Sequence, residues 1–310
     1  MATALAKQIN KLKNGLPYLA VLVAMLFWGA SGIATKAALQ TLRPLTLVTC
    51  RFLLAVVLML LVGLLTKQLQ RPDRKDFPLF LLAGLAQPVC YYIFETYGIK
   101  LLSSPTIAEV LLSTSPLFAP LFAYVLIHEK VTLCNILGIA LSAVGVLLMV
   151  LVGSSDFSIG SPWGILLAFL AVFSAVIYTV LLRKMPAKYN SLSIVFYVQL
   201  SSLLFFVPVF CLIDLPRVAL SDFTLPALGA ISYLAVCSSV IAFILFCYTV
   251  RHIGVTRANA FNNIRPVFTA LFMFLFFGER LPWVNVLGMG LVIVGLFVCQ
   301  YEKNNRKQST

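Results

Sequence analysis

Runs of about twenty apolar residues, following one another along the whole chain, constrain this sequence more than any single motif. They fall at Pro17–Lys36, Pro44–Thr66, Phe77–Gly98, Ser104–Ile127 and Val131–Val152, then at Pro162–Arg183, Ser191–Ile213, Phe223–Val250, Val255–Phe277 and Pro282–Gln300. Twenty residues of helix match a hydrocarbon core of about 30 Å. No water is available there to satisfy free N–H and C=O groups, so the runs must be helices. Composition agrees: 61% of residues are hydrophobic and only 11% are charged, against roughly 25% charged in a soluble domain. The basic segment before the first run has the look of a signal peptide, but the run is too long and shows no cleavage site, so it reads as an uncleaved span. The expected fold class is an all-α polytopic membrane protein with ten transmembrane helices.

The second constraint is a duplication. Thr106–Leu148 and Thr256–Val298 align without a gap. Pro116 meets Pro266, Glu129-Lys130 meets Glu279-Arg280, Asn135 meets Asn285, and Gly138 and Gly145 meet Gly288 and Gly295. Apolar letters match by chance in such a chain; a proline, an acid-base pair, an asparagine and two glycines in one register do not. The expected units are residues 17–152 and 162–300, each of five helices, with short tails at 1–16 and 301–310. Five is odd, so the second unit enters from the opposite side and the repeats are inverted. Inverted repeats are the mark of secondary transporters, with the site at the midplane between halves.

Charge gives the orientation. Lys67, Arg71, Arg74, Lys75, Lys130, Arg183, Lys184, Lys188, Arg251 and Arg257 lie on the side of both basic ends. The opposite loops hold only Arg43, Lys100, Arg217 and Arg280. The positive-inside rule then puts both termini in the cytoplasm. The net charge of +13 is accounted for by this asymmetry and by anionic lipid, without nucleic acid as a partner.

Polar residues inside the spans are the candidates for chemistry. Arg265 lies near the middle of the ninth run, where a charge costs roughly 2.5–3.5 kcal/mol to insert and must face protein or water. It would meet a substrate carboxylate or phosphate, or form a structural ion pair with Glu95 or Glu109. Asn259, Asn262, Asn263 and Pro266 share its face, and Pro266 frees a carbonyl one turn back. Glu109 in the fourth span and Glu95 in the third would bind a cationic group or carry a coupling proton, or simply be solvated near a membrane face. Gln87, Tyr91 and Tyr92 precede Glu95 on the third span. Trp28 and Ser31 on the first span, with Tyr91 and Tyr92, would floor the site or merely pack. Ser113 aligns with Asn263 and is a lesser lining candidate. Gln199 is expected to make an interhelical hydrogen bond. Arg51 is expected to snorkel or to pair structurally.

Pro116 and Pro266 read as helix kinks, and Glu129 and Glu279 as clamps at helix ends on opposite faces. Gly138, Gly145, Gly288 and Gly295 allow the fifth and tenth helices a close approach, with a homodimer contact as one outcome. The seven cysteines are scattered without paired spacing, which indicates neither metal nor disulfide. No P-loop, G-x-G-x-x-G or H-E-x-x-H is present, so no cofactor, ATP-driven step or catalytic residue is expected.

The sequence resembles the drug/metabolite transporter superfamily, specifically transporters with two EamA-type domains. The residues that carry this are Phe27-Trp28-Gly29, Pro116 and Pro266, Glu129-Lys130 and Gly278-Glu279-Arg280, and the Leu137-Gly138 and Leu287-Gly288 pairs with Gly145 and Gly295. His128 departs from it where the second copy has Gly278. The resemblance implies ten helices, a bacterial inner membrane and export of amino acids or related small metabolites by alternating access, as uniport or proton antiport. An importer or an exchanger of phosphorylated metabolites is the alternative within transport; a non-transporting scaffold or a lipid-acting enzyme is the alternative outside it.

Overall fold

A computed structural model describes residues 2–101, 111–112, 114–151, 161–277 and 283–300. Among them there is helix and no strand. The first span is α1 (Ala2–Ala38) and the second α2 (Pro44–Leu65). The helix of the first span extends back to Ala2, through residues expected as a tail. The third span is α3 (Phe77–Gly84), a widened turn at Leu85–Cys90 and α4 (Tyr91–Leu101). The fourth and fifth are α5 (Ser115–Ile127) and α6 (Leu133–Leu151). In the second half come α7 (Pro162–Lys184) and α8 (Ser191–Ile213), then an eighth span made of α9 (Leu225–Tyr233), a widened segment Leu234–Ile241 and α10 (Ala242–Ile253). The ninth is α11 (Val255–Ala260), a tight turn Phe261–Ile264 and α12 (Arg265–Phe277), and the tenth is α13 (Trp283–Gln300).

Six spans meet the length and apolarity of a membrane crossing over their described residues: the first, second, third, sixth, seventh and eighth. The packing obeys a two-fold relation between halves. The first span packs on the eighth as the sixth packs on the third, and the first packs on the ninth as the sixth packs on the fourth. The second meets the seventh, the fourth the ninth and the fifth the tenth, each pair across the pseudo-axis. Two inverted five-helix repeats give this pattern. Large apolar side chains such as Leu61, Leu64, Leu212, Phe276 and Phe297 point outward, as lipid-facing positions must.

Small residues set the closest approach. Ideal Cβ atoms built at Gly145 and Gly295 would stand 2.5 Å from Gly288 O and 2.6 Å from Gly138 O. Asn135 Nδ2 donates to Cys299 O at 2.7 Å across the same seam. These glycines face one another inside one chain, which is the close approach expected of the fifth and tenth helices.

The two repeat prolines do not kink a continuous helix. Pro116 stands in the first turn of α5, and Pro266 is the second residue of α12, positions where a missing N–H costs nothing. The helix changes character just before such starts; in the third span it breaks at Gln87, which has φ −150° and ψ 122°.

Candidate functional site

Three spans leave α-helical geometry inside their length, at Leu85–Cys90, Leu234–Ile241 and Phe261–Ile264, and backbone groups that lose an α-helical partner at that depth must find one among neighbours. They do. Trp28 Nε1 donates to Ser238 O at 3.1 Å, and Gln199 Nε2 donates to Ser239 O at 2.6 Å. Ser201 Oγ reaches Phe80 O at 3.2 Å on the third span. Thr269 Oγ1 donates to Gly29 O at 2.8 Å, where the first span meets the ninth so closely that a Cβ on Gly29 would lie 2.7 Å from Phe268 Cβ. The expected interhelical bond of Gln199 is therefore real, and its partner is the break of the eighth span.

Around these breaks the predicted residues converge. Trp28 is wedged edge-on against Phe243, with ring centroids 5.3 Å apart, and the Arg265 guanidinium lies 5.9 Å from the centre of its ring. Arg265 also acts electrostatically on Tyr91 and Tyr92. Tyr91 donates its hydroxyl to Glu95 Oε1 at 2.9 Å and stands perpendicular to Tyr92. Trp28, Tyr91, Tyr92, Glu95 and Arg265 thus form one polar cluster from the first, third and ninth spans.

Other expectations resolve differently. Asn259 is buried and spends its amide on Val255 O of its own helix at 3.0 Å. Asn262 donates to Asn259 Oδ1 at 3.2 Å. These two hold the ninth span's own broken turn together. Asn263 is fully buried, and among the described residues neither of its amide atoms has a hydrogen-bond partner. Ser31 bonds back to Trp28 O at 2.7 Å. Gln87 sits half-buried in the break of the third span. Glu109, Ser113 and Glu279 lie outside the described residues.

Arg51 does not snorkel. It is 4% exposed. Its Nε donates to Ser239 Oγ at 2.6 Å and its Nη2 to Ser238 Oγ at 2.9 Å. Its Cζ lies 5.0 Å from the Tyr92 ring centre, joining it to the same cluster. Of the two sequence expectations for Arg51, the structural pairing holds, and its partners are the Ser238 and Ser239 hydroxyls.

The EamA-like transporter family profile matches residues 15–151 and again 162–300. The chain belongs to the EamA-like transporter family. An S-adenosylmethionine/S-adenosylhomocysteine transporter of Chlamydia trachomatis is 26% identical over 89% of this chain and 86% of its own length. A probable terminal-alkyne amino-acid exporter of Streptantibioticus cattleyicolor is 25% identical over 77% of this chain and 78% of its own. A solved crystal structure superposes with a TM-score of 0.77 over 95% of this chain and 99% of that one, at 18% identity. This EamA-family chain is accordingly a multi-pass transporter protein, of a family of transporters rather than of enzymes.

The face where the first span begins and the tenth ends is cross-linked by side chains. Glu129, expected as a clamp, accepts from Val255 N at 2.9 Å and Thr256 N at 3.0 Å, so its charge caps the start of the ninth span rather than its own helix. Lys188 Nζ bridges Asp73 at 2.5 Å and Asp76 at 2.8 Å, and Tyr189 donates its hydroxyl to Asp76 Oδ2 at 2.8 Å. Arg251 donates to the Tyr189 and Pro186 carbonyls.

Hydrogen bonds from Lys188 and Tyr189 hold the Asp76 carboxyl below its usual range. A carboxyl depressed in the folded state stabilises above its unfolded pKa and loses that contribution as pH falls through the folded one. The clasp between residues 68–76 and 186–190 is therefore expected to hold at neutral pH and to loosen only below about pH 4. Hydrogen-exchange protection factors in 68–76, measured down a pH series, check this. Asp76→Asn should abolish the acid-dependent step.

Proposed function

We propose that this chain is an inner-membrane secondary transporter that exports amino acids or related small carboxylated metabolites by alternating access. Arg265 receives the substrate carboxylate. Glu95, with Tyr91, receives its ammonium group or a coupling proton in uniport or proton antiport. Trp28 supplies an apolar wall. The observation that carries this is a half-buried arginine at mid-span, set between an aromatic wall and a tyrosine–carboxylate pair. A guanidinium presents a planar fork that matches a carboxylate in bidentate geometry. The amino-acid exporter among the relatives and the S-adenosylmethionine transporter, whose named substrates carry an amino-acid end, support the same class.

The loop charges support cytoplasmic termini, as the positive-inside rule requires. The clasped face is then the cytoplasmic one. In cells expressing the chain, a small set of carboxylated metabolites is expected to accumulate outside relative to empty cells, measured by extracellular metabolomics. Equal profiles would remove export. An uptake assay with the same metabolites would then decide for import.

A further inference from the structure

We propose that Asn263 is a switch of the transport cycle. Its buried amide lacks hydrogen bonds in the conformation described here and gains them when the ninth span takes the geometry that its repeat, the fourth span, already holds. The proposal rests on alternating access and on no role of Arg265.

Asn263 is 0% exposed, and among the described residues neither Nδ2 nor Oδ1 has a hydrogen-bond partner. A buried amide that has left water without a replacement carries its full desolvation cost. The place does not force that cost. Asn259 donates to Val255 O at 3.0 Å and accepts from Asn262 at 3.2 Å, so neighbouring amides are satisfied within the span. Two turns nearer the start of the span, Thr256 Oγ1 is buried with no partner among the described residues either. This half of the ninth span therefore buries donors and acceptors that the present conformation does not use.

The aligned turn of the fourth span is in a different state. Thr114 stands where the second copy has Ile264, and its backbone N and its Oγ1 both donate to Leu111 O, at 3.0 and 2.5 Å. There the turn is closed by a side chain. The ninth span instead runs through the tight turn Phe261–Ile264 with the Asn263 side chain left out. One molecule thus holds the repeated turn in two hydrogen-bond states. Alternating access exchanges the conformations of two inverted repeats, so in the opposite state the ninth span's turn is the closed one, and Asn263 is the side chain placed to close it. An amide satisfied in only one of two states biases the equilibrium between them, here against the state described.

The Glu129 cap reports that state. Its carboxylate holds the Val255 and Thr256 amides at 2.9 and 3.0 Å, where the fourth span ends and the ninth begins. Parting the two spans at that face frees both amides to exchange.

The test compares hydrogen exchange at Val255 and Thr256, melting temperature and metabolite export in the full-length parent and in Asn263→Leu, which removes the amide and keeps a side chain of similar shape. Asn263→Leu should melt higher than the parent and exchange at Val255 and Thr256 about tenfold more slowly. Export should fall, because the cycle stalls in one state. Asn259→Leu, which removes a satisfied amide, should melt lower and exchange faster. Asn263→Ala removes the same amide without added bulk; it should slow exchange likewise and serves if leucine is not accommodated. Exchange that is unchanged or faster in folded Asn263→Leu or Asn263→Ala overturns the switch, and loss of export alongside it would make Asn263 a substrate contact. Parental export from a variant with slowed exchange overturns the switch too. Absence of export from the parent removes the export reading alone, since exchange and melting still decide the switch.

Discussion

Arg265→Gln is expected to lower transport of a carboxylated substrate by about a hundredfold, with membrane levels and folded yield near those of the parent. Removing one member of a buried, hydrogen-bonded charge pair costs about 2–5 kcal/mol, and each 1.4 kcal/mol is a factor of ten. Arg265 lies at the start of α12, facing Trp28 and acting on Tyr91 and Tyr92. Glutamine keeps hydrogen-bond donors in that place and removes the charge, and an uncharged side chain is easier to insert at this depth. Arg265→Lys should fall between the two, because it keeps the charge without the planar fork. Metabolite export is measured at matched membrane levels, with fluorescence-detected size exclusion on the same samples. Full export by Arg265→Gln would make the arginine a packing element, and a fall in export that tracks a fall in folded yield would do the same.

Gly145→Val and Gly295→Val are expected to abolish the monodisperse folded protein. Overpacking a well-filled interior costs about 1–3 kcal/mol when neighbours can move. Here the atoms in the way are backbone: Gly288 O at 2.5 Å and Val292 N at 2.9 Å from a Cβ on Gly145, and Gly138 O at 2.6 Å and Ser142 N at 2.7 Å from one on Gly295. Neither helix can yield without parting from the other and exposing the Asn135–Cys299 bond. Gly290→Ala in the same α13 is the control, since nothing stands within 4 Å of its added carbon and alanine gains roughly 0.8–1.0 kcal/mol in helix propensity. Size-exclusion profiles and melting temperatures of the three variants read out both directions. Folded Gly145→Val of parental stability would mean that the fifth and tenth spans are not packed as described.

The same seam shows how far sequence alone reaches. Glycines in matching register announced close helix approach, and Pro116 with Pro266 were read as a kink in each copy. Register already paired the fifth and tenth helices, and only the fold shows that the pairing is made within one chain, because the partner of a small-residue face is whatever helix the topology delivers. Register could not tell a kink from a helix start, which depends on where the residues before Pro266 stop being α-helical.

The membrane solvent, the all-helical architecture, the ten spans and the inverted duplication were determined by sequence. The reason is physical: a hydrocarbon core accepts only long apolar helices, and an odd-numbered repeat must invert. The candidate site was legible in part, since a charge such as Arg265 at mid-span declares itself by its cost. What only the tertiary structure decided is where freed backbone and buried charge find partners. Arg51 was one more charge in an apolar run until Ser238 and Ser239, far away in sequence, came within hydrogen-bond reach. Glu129 marked a helix end, but that it caps Val255 and Thr256 follows from the fourth and ninth spans meeting across the pseudo-axis. Hydrophobicity is a local property that a sequence carries residue by residue, whereas the pairing of donors and acceptors in a medium without water belongs to the assembled bundle.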